Sequence, residues 1–306
     1  MLFDDKIILV LGATGQQGGS VARALRSAGW AVRALVRDTG AAGARALTDL
    51  GCTLVVGDQA DRGSIERAVQ GAYGVFSVQP SSGQSGSGVT DADEIAFATT
   101  VAEVAHAAEV RHFVQTSMIA AGQGPMGLPH FDSKAVIEER LRAIGLPTTI
   151  VRPATFMELL MLPGMGLGQG VMTFLMRPDQ KVQFIAVADI GRIVAAIFAD
   201  PERFLGQAIS IASDAVTGDE LATVLSRAAG RTIEYRRFPD AVLSATPALQ
   251  GAAKLIDDGR LAGNADIAAL RTVVPDLYDF ESWLAGPGKP LLENALAAEP
   301  ADVALR

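Results

Sequence analysis

Two groups of residues in this sequence have types and spacings that could do chemistry. The first is Gly12, Gly15 and Gly18 in LGATGQQGG. Gly12 permits a tight turn, Gly15 lets backbone approach a pyrophosphate, and Gly18 lets a following helix lie close to its strand. The second group is His130 and Lys134 in HFDSK, with Ser117 upstream. Four residues apart, His130 and Lys134 share one face of a helix. An imidazole with an ordinary pKa of about 6.5 can carry a proton near neutrality, and a neighbouring ammonium would push that value lower. Lys134 brings a positive charge for a hydroxyl or an anion.

These residues need a scaffold, and the flanking pattern supplies one. Ile7 to Leu11 is an unbroken apolar run, as in a parallel strand buried on both faces, and Ser20 to Ala28 reads as a helix. The N–H groups and positive dipole end of that helix face the turn. Trp30 to Val36 is a second strand, ending in Arg37-Asp38. At that place an acidic residue favours NAD, whereas an Arg accommodates the 2′-phosphate of NADP. Both types are present, Arg37 first and Asp38 after it, so the position alone leaves the choice open, and Arg37 also reads as a solvated charge at a strand end. A helix from Ala41 to Leu50 and a strand from Cys52 to Val56 lead to Gly57-Asp58-Gln59, by composition a surface turn before a helix cap at Asp61. Ser64 to Gln70 is helical, and Tyr73 to Val78 is a fourth strand ending in Gln79-Pro80. Ser81 to Gly88 is rich in Gly and Ser, either a mobile loop beside a ligand or an exposed linker. Asp91 to Ala108 carries Ile95, Ala98, Val101, Ala105 and Ala108 at helical spacing. His112 to Thr116 is a fifth strand, the helix from His130 runs to about Ala143, and Thr148 to Val151 is a sixth strand. Strands alternating with helices specify a doubly wound parallel α/β sheet, a Rossmann arrangement.

Composition excludes several classes. The 306 residues carry a formal net charge of −8, with scattered basic residues, which argues against direct nucleic-acid binding. The single cysteine, Cys52, excludes an internal disulfide and suits a reducing compartment; opening an apolar strand, it reads as a buried thiol. MLFDDK lacks the pattern of a signal peptide. Pro163, Glu158 and several glycines interrupt the apolar stretch from Phe156 to Met176, so no membrane span is expected. A cytoplasmic protein follows. His106 and His112 read as packing or surface residues, and no metal-ligand spacing is present.

GATGxxG, VRHFVQTS, HFxSK, IGLPTTIVRPATFMELL, Phe184 to Gly191 and Phe204 to Ala212 together resemble the NmrA-like family of atypical short-chain dehydrogenases/reductases, over almost the whole chain to about Leu284. The resemblance implies NADP(H), with Gly12, Thr14, Gly15, Gln17, Gly18, Arg37, Asp58, Gln59, Gln79 and Lys134 as cofactor contacts and Asp58 and Gln59 bordering the adenine. In short-chain dehydrogenases a Ser and a Tyr-xxx-Lys pair carry catalysis, the Tyr giving its proton to a carbonyl. Here Ser117 and Lys134 stand at those places and the Tyr position is His130. The catalytic candidates are thus His130, Lys134 and Ser117. The family holds both NADP-binding regulators that lack the Tyr and reductases of quinones and other small molecules. The implied partners are accordingly a small apolar carbonyl, enone or quinone, or else a regulatory protein, with a homodimer also open.

Residues 1–153 with about 187–212 are expected to form the dinucleotide-binding domain, and about 154–186 with 213–285 a smaller α/β domain. Met157, Met161, Met165, Met172 and Met176 suit an adaptable apolar surface, with Met118, Phe156, Met157 and Met161 lining a substrate cleft. The same methionines also read as plain core or a contact between two copies. Trp283 should pack the final helix, and 286–306 reads as a loose tail.

Overall fold

A computed structural model describes residues 3–83 and 86–301, so Gln84 and Ser85 of the Gly/Ser-rich loop and residues 302–306 of the expected tail lie outside the described residues. The chain divides into two compact units. The first comprises Met1–Gly124, Pro129–Arg152 and Val187–Ile209; the second comprises Pro125–Leu128, Pro153–Ala186 and Ser210–Arg306.

The first unit contains β1 (Phe3–Val10), α1 (Gln16–Ser27), β2 (Trp30–Val36), α2 (Ala42–Asp49), β3 (Thr53–Val56), α3 (Arg62–Val69), β4 (Ala72–Ser77), α4 (Asp91–Ala107), β5 (His112–Thr116), α5 (Pro129–Ile144), β6 (Thr148–Pro153) and α6 (Val187–Ala199). The sheet has seven strands, ordered Ala208–Ile211, β6, β5, β4, β1, β2, β3. β1 pairs in parallel with both β2 and β4, Leu9 lying opposite Arg33 on one side and Val75 on the other. The N–H groups of Ile150 and Ala154 reach the carbonyls of Gln207 and Ile211, advancing together as a parallel pair requires. This is the doubly wound sheet, and strand order reverses between β1 and β4. In such sheets ligands sit in the crevice beyond the carboxyl ends at that point.

Burial explains the run in β1. Ile8, Leu9, Val10 and Leu11 are wholly inaccessible to solvent, because helices cover both faces. Leu9, Leu11, Val75 and Phe113 pack with Ile65, Ala98, Val101 and Ile137 in one apolar cluster. α6 returns to lie against α1. The hydroxyl of Ser20 donates to the Ala188 carbonyl at 3.3 Å. A Cβ at Gly191 would stand 2.4 Å from the Ser20 carbonyl oxygen.

The second unit has a three-stranded sheet of Asp214–Val216, Val182–Ile185 and Thr155–Phe156, and a parallel pair of Glu234–Arg237 with Val171–Phe174. Met157, Met161, Met165, Met172 and Met176 are all buried and build the core of this unit. Phe184, Phe280 and Trp283 stack edge to face, with centroids 5.3 and 6.3 Å apart.

The expected loose tail is corrected in part: Lys289–Ala297 is a helix that buries Leu292 and Ala295, with proline in its first turn. Trp283 therefore lies on the penultimate helix, Phe280–Ala285, and Gly288 abuts its indole so closely that a Cβ would come within 2.6 Å. Two buried residues in nine make no visible apolar stripe, which is why the periodicity was silent.

Gly191→Ala should lower the free energy of unfolding by about 1–3 kcal/mol, and the urea midpoint with it, because backbone blocks the added methyl. Gly206→Ala, where a Cβ meets nothing within 4 Å, tests the contribution of a positive φ (78°) without a clash. Urea titration followed by circular dichroism measures both; equal midpoints for Gly191→Ala and wild type would contradict the close approach.

Candidate functional site

At the turn after β1 the backbone is tight. Gly12 has φ of +60° and its N-terminal neighbour Leu11 donates to Phe76 on β4 at 3.0 Å. A Cβ at Gly12 would lie 2.7 Å from Val78 Cγ1, and one at Gly18 would lie 2.3 Å from the Gly12 carbonyl oxygen. Gly12 and Gly18 are therefore demanded by the protein's own packing. Gly15 is different. It is exposed, has extended φ of −93°, and a Cβ there would meet only the Gly12 oxygen, at 3.3 Å. Gly15 caps α1 without a side-chain hydrogen bond, and no acidic residue occupies the first turn. The leading amides of α1, which have no partner inside a helix, thus lie at an exposed, electropositive helix end beside Thr14 and Gln16.

Arg37 follows β2, exposed and with no ion pair or hydrogen bond among the described residues, while Asp38 turns to the Gly40 amide at 2.7 Å. The Asp58 turn is pinned by Ser64, whose Oγ accepts from the Asp58 amide at 3.0 Å and donates to the Asp58 carbonyl at 2.8 Å. Gln59 donates to the Val78 carbonyl at 3.0 Å. Gln79 donates to Ser77 Oγ at 2.8 Å and accepts from Gln115 Nε2 at 3.0 Å; Thr116 Oγ1 donates to Gln17 Oε1 at 2.7 Å. Amides and a hydroxyl thus run along the carboxyl ends of β3, β4 and β5 to the start of α1. Thr14, Gly15, Gln17, Arg37, Asp58, Gln59 and Gln79 all stand on this edge, as the sequence expects. Gln115 and Thr116 are additional members, both buried. Nothing in an apolar strand marks them from sequence except two polar residues in succession.

The helices α4 and α5 begin at the same edge, since each follows a parallel strand. Lys134 on α5 forms an ion pair with Glu94 on α4; the Glu94 side chain is 0% exposed and that of Lys134 19%. Ser133 Oγ donates to the second oxygen of Glu94 at 2.9 Å. His130 is half-buried, tilted against Phe131 with centroids 4.3 Å apart, and its ring fills the space a Cβ at Gly83 would take. Burial pushes the His130 imidazole below its ordinary value and Lys134 adds to that, while Asp91, Glu94 and Asp132 oppose it. Neutral imidazole therefore predominates at neutral pH. Sequence reasoning missed Glu94. Its signal was available: 94, 98, 101, 105 is the apolar stripe of α4, and a carboxylate in that stripe requires a buried partner.

Ser117 has a different setting from the one expected of a catalytic hydroxyl. Its Oγ donates to Glu138 Oε1 at 2.7 Å, and the Glu138 side chain is 1% exposed. Arg152 reaches the same carboxylate in a fork, Nε at 2.9 Å and Nη2 at 2.5 Å, and Arg142 Nη2 joins at 2.7 Å. Desolvation is the largest single influence and raises the Glu138 carboxyl, but Arg152, Ser117 and Arg142 together outweigh it and hold the group below its usual value. Gly122 closes on Arg152, where a Cβ would come within 2.7 Å of Nη2. Ser117 thus completes a buried charge cluster, and Lys134 and Ser117 bind two different carboxylates.

Of the expected cleft residues, Met118 is half-buried in the first unit. In the second unit Phe156 is half-buried, whereas Met157 and Met161 are packed inside. His112 is structural: buried in β5 with Nε2 2.8 Å from Thr149 Oγ1, its pKa is lowered by burial to about 4. Cys52 is a buried free thiol, raised by burial. Among the described residues no group of His, Cys, Asp or Glu is placed to hold a metal, and no helix is long and apolar enough to cross a membrane.

Against known proteins, the model of the NmrA-like family matches residues 4–270. An NmrA-like family domain-containing oxidoreductase, FrzB, from Cladobotryum sp is 30% identical over 256 residues, covering 75% of each chain. An NAD(P)H azoreductase from Xenophilus azovorans is 29% identical over 231 residues, covering 75% of this chain and 76% of that one. Among solved structures, the negative transcriptional regulator NmrA in complex with NADP superposes with a TM-score of 0.78 at 22% identity, covering 95% of this chain and 98% of that one.

The Glu138 cluster has a pH signature. Its depressed native pKa contributes stability that is complete above the ordinary value of 4.5 and is lost as pH falls through the native one. Glu138→Gln should therefore destabilise by about 2 kcal/mol near neutrality, with the gap to wild type closing below about pH 4. Thermal melts from pH 7 to 3 measure it; a gap that stays constant with pH would contradict the ionised cluster.

Proposed function

The chain belongs to the NmrA-like family, and on that premise we propose that it binds NADP(H) at the carboxyl edge of the seven-stranded sheet and reduces a small conjugated acceptor, a carbonyl, enone, quinone or azo compound. The observation that carries the cofactor is Gly15. It is exposed at the uncapped start of a helix on the switch-point edge, where a Cβ would press on one protein atom, the Gly12 carbonyl oxygen at 3.3 Å. A pyrophosphate fits against that exposed backbone, where a larger side chain would take its place. Arg37, without an ion pair or hydrogen bond among the described residues at the end of β2, suits a 2′-phosphate, and the relative named as an NAD(P)H azoreductase supports a nicotinamide dinucleotide.

When bound, NADPH supplies a hydride. The chain's own residues then have limited roles. Gly15 and the first amides of α1 hold the pyrophosphate, Arg37 the 2′-phosphate, and Asp58 and Gln59 border the adenine. Lys134 faces the nicotinamide ribose, and His130 is the candidate proton donor. With Ser117 committed to Glu138 and His130 in place of Tyr, the serine–tyrosine proton relay is not available. Acceptors that need positioning more than acid catalysis fit this site best. The same two facts favour a second reading, in which the protein is an NADP(H)-responsive regulator acting through a protein partner. Its likeness in fold to NmrA supports that alternative.

Two measurements test this reading. Fluorescence titration should show tighter binding of NADPH than NADH. Arg37→Ala should cost NADPH roughly ten- to a hundredfold, the worth of one hydrogen bond to a charged group, and leave NADH nearly unchanged. Gly15→Val should fold and lose both cofactors. Equal affinities insensitive to Arg37→Ala would refute the 2′-phosphate assignment.

Turnover is scanned with NADPH against quinones, azo dyes and enones. If His130 donates the proton, the rate should fall as pH rises through an imidazole pKa below 6.5, and His130→Ala should slow it about 10²-fold or more without changing NADPH affinity. An unchanged rate in His130→Ala would assign the proton to water. No consumption with any acceptor would favour the regulator.

A further inference from the structure

Glu94 is a carboxylate in the apolar stripe of α4, with a side chain 0% exposed, one turn from the helix start. Burying a lone carboxylate is costly, so its partners must account for it. It has two, both from α5: Lys134 on Oε1 and Ser133 on Oε2. Ser133 also reaches back to the His130 carbonyl at 3.2 Å. One buried anion therefore ties the first turn of α5 to α4 and fixes the ammonium carried there. Lys134 has a flexible four-carbon stem and would otherwise sample many rotamers. The chain has four other lysines, Lys6, Lys181, Lys254 and Lys289, and among the described residues none of them is paired with a buried carboxylate.

We propose that Glu94 is the positioning residue for Lys134: the buried carboxylate holds the ammonium in one place and, with Ser133 as its second donor, presents it to the dinucleotide. This rests on the reading that Lys134 contacts the cofactor. Glu94 itself touches no cofactor. Its effect on binding must therefore pass through Lys134, and it disappears when Lys134 is absent.

The experiment uses the full chain and two readouts. Lysine acetylation by a small active ester, mapped by mass spectrometry without cofactor, reports whether Glu94 shields Lys134. Glu94→Gln should raise acetylation of Lys134 several-fold and leave the other four lysines unchanged. NADPH affinity is then measured in wild type, Glu94→Gln, Lys134→Met and the double variant. Glu94→Gln should weaken binding about tenfold in wild type, the worth of a charged hydrogen bond, and by nothing further in Lys134→Met. Glu94→Asp, which keeps the charge, should recover part of the affinity.

Unchanged acetylation in Glu94→Gln overturns the proposal. So does an equal loss of affinity in both backgrounds, which marks Glu94 as merely structural. If acetylation rises but neither Glu94→Gln nor Lys134→Met alters NADPH binding, the assignment of Lys134 to the cofactor fails, and the positioning role with it. Should Glu94→Gln not fold, Ser133→Ala removes the second donor instead. It should raise Lys134 acetylation and weaken NADPH by a smaller factor; no change in either overturns the proposal.

Discussion

The close approach of α1 to the end of β1 is the constraint on which the first unit depends. Gly18 lies so near the Leu11 and Gly12 carbonyls that any Cβ would overlap backbone. This contact fixes where α1 starts, and hence where its leading amides point. It also brings α1 under α6, where Gly191 meets Ser20 in a second close approach. These two glycine contacts set the start of α1 against the end of β1 and its flank against α6. A surface for an anion is a consequence of packing here. Gly15 is the least crowded of the three glycines in the turn: a Cβ there would press only on the Gly12 carbonyl oxygen, at 3.3 Å.

A second constraint is electrostatic. Two carboxylates, Glu94 and Glu138, are buried on α4 and α5, each met by a serine and at least one cation. Buried ion pairs contribute little net stability relative to apolar residues, but removing one partner is expensive. They therefore specify arrangement more than they stabilise. Glu138 draws Ser117 and Arg152 together at the ends of β5 and β6, and Glu94 orders the start of α5. The residues that a short-chain dehydrogenase would use as a relay are here divided between two anions.

The sheet was legible because hydrophobic runs, strand-end glycines and helix caps all agree: β2 and β5 lie where the apolar pattern places them, and Asp61 caps α3 as its side chain suggests. The glycine turn was legible for the same reason, since a close approach leaves a residue type as its trace. The partners of Ser117 and Lys134 were not. A side chain's hydrogen-bond partner sits 21 or 40 residues away and leaves no local pattern. The anomaly was a glutamate on an apolar stripe, which periodicity counts as an interruption. The methionines illustrate a further limit. Their spacing fits a lid and a core equally, and only their burial separates the two. The helix at Lys289–Ala297 escaped because two buried residues in nine leave too little periodicity to detect.

The central claim is that the turn from Gly12 to Gly18 and the end of β2 together hold NADP(H). A crystal structure of the protein grown with NADP⁺ tests it most directly. The expected density places the pyrophosphate against Gly15 and the first amides of α1, and the 2′-phosphate beside the Arg37 guanidinium. Density for the dinucleotide elsewhere, or a 2′-phosphate in solvent with Arg37 turned away, would contradict it.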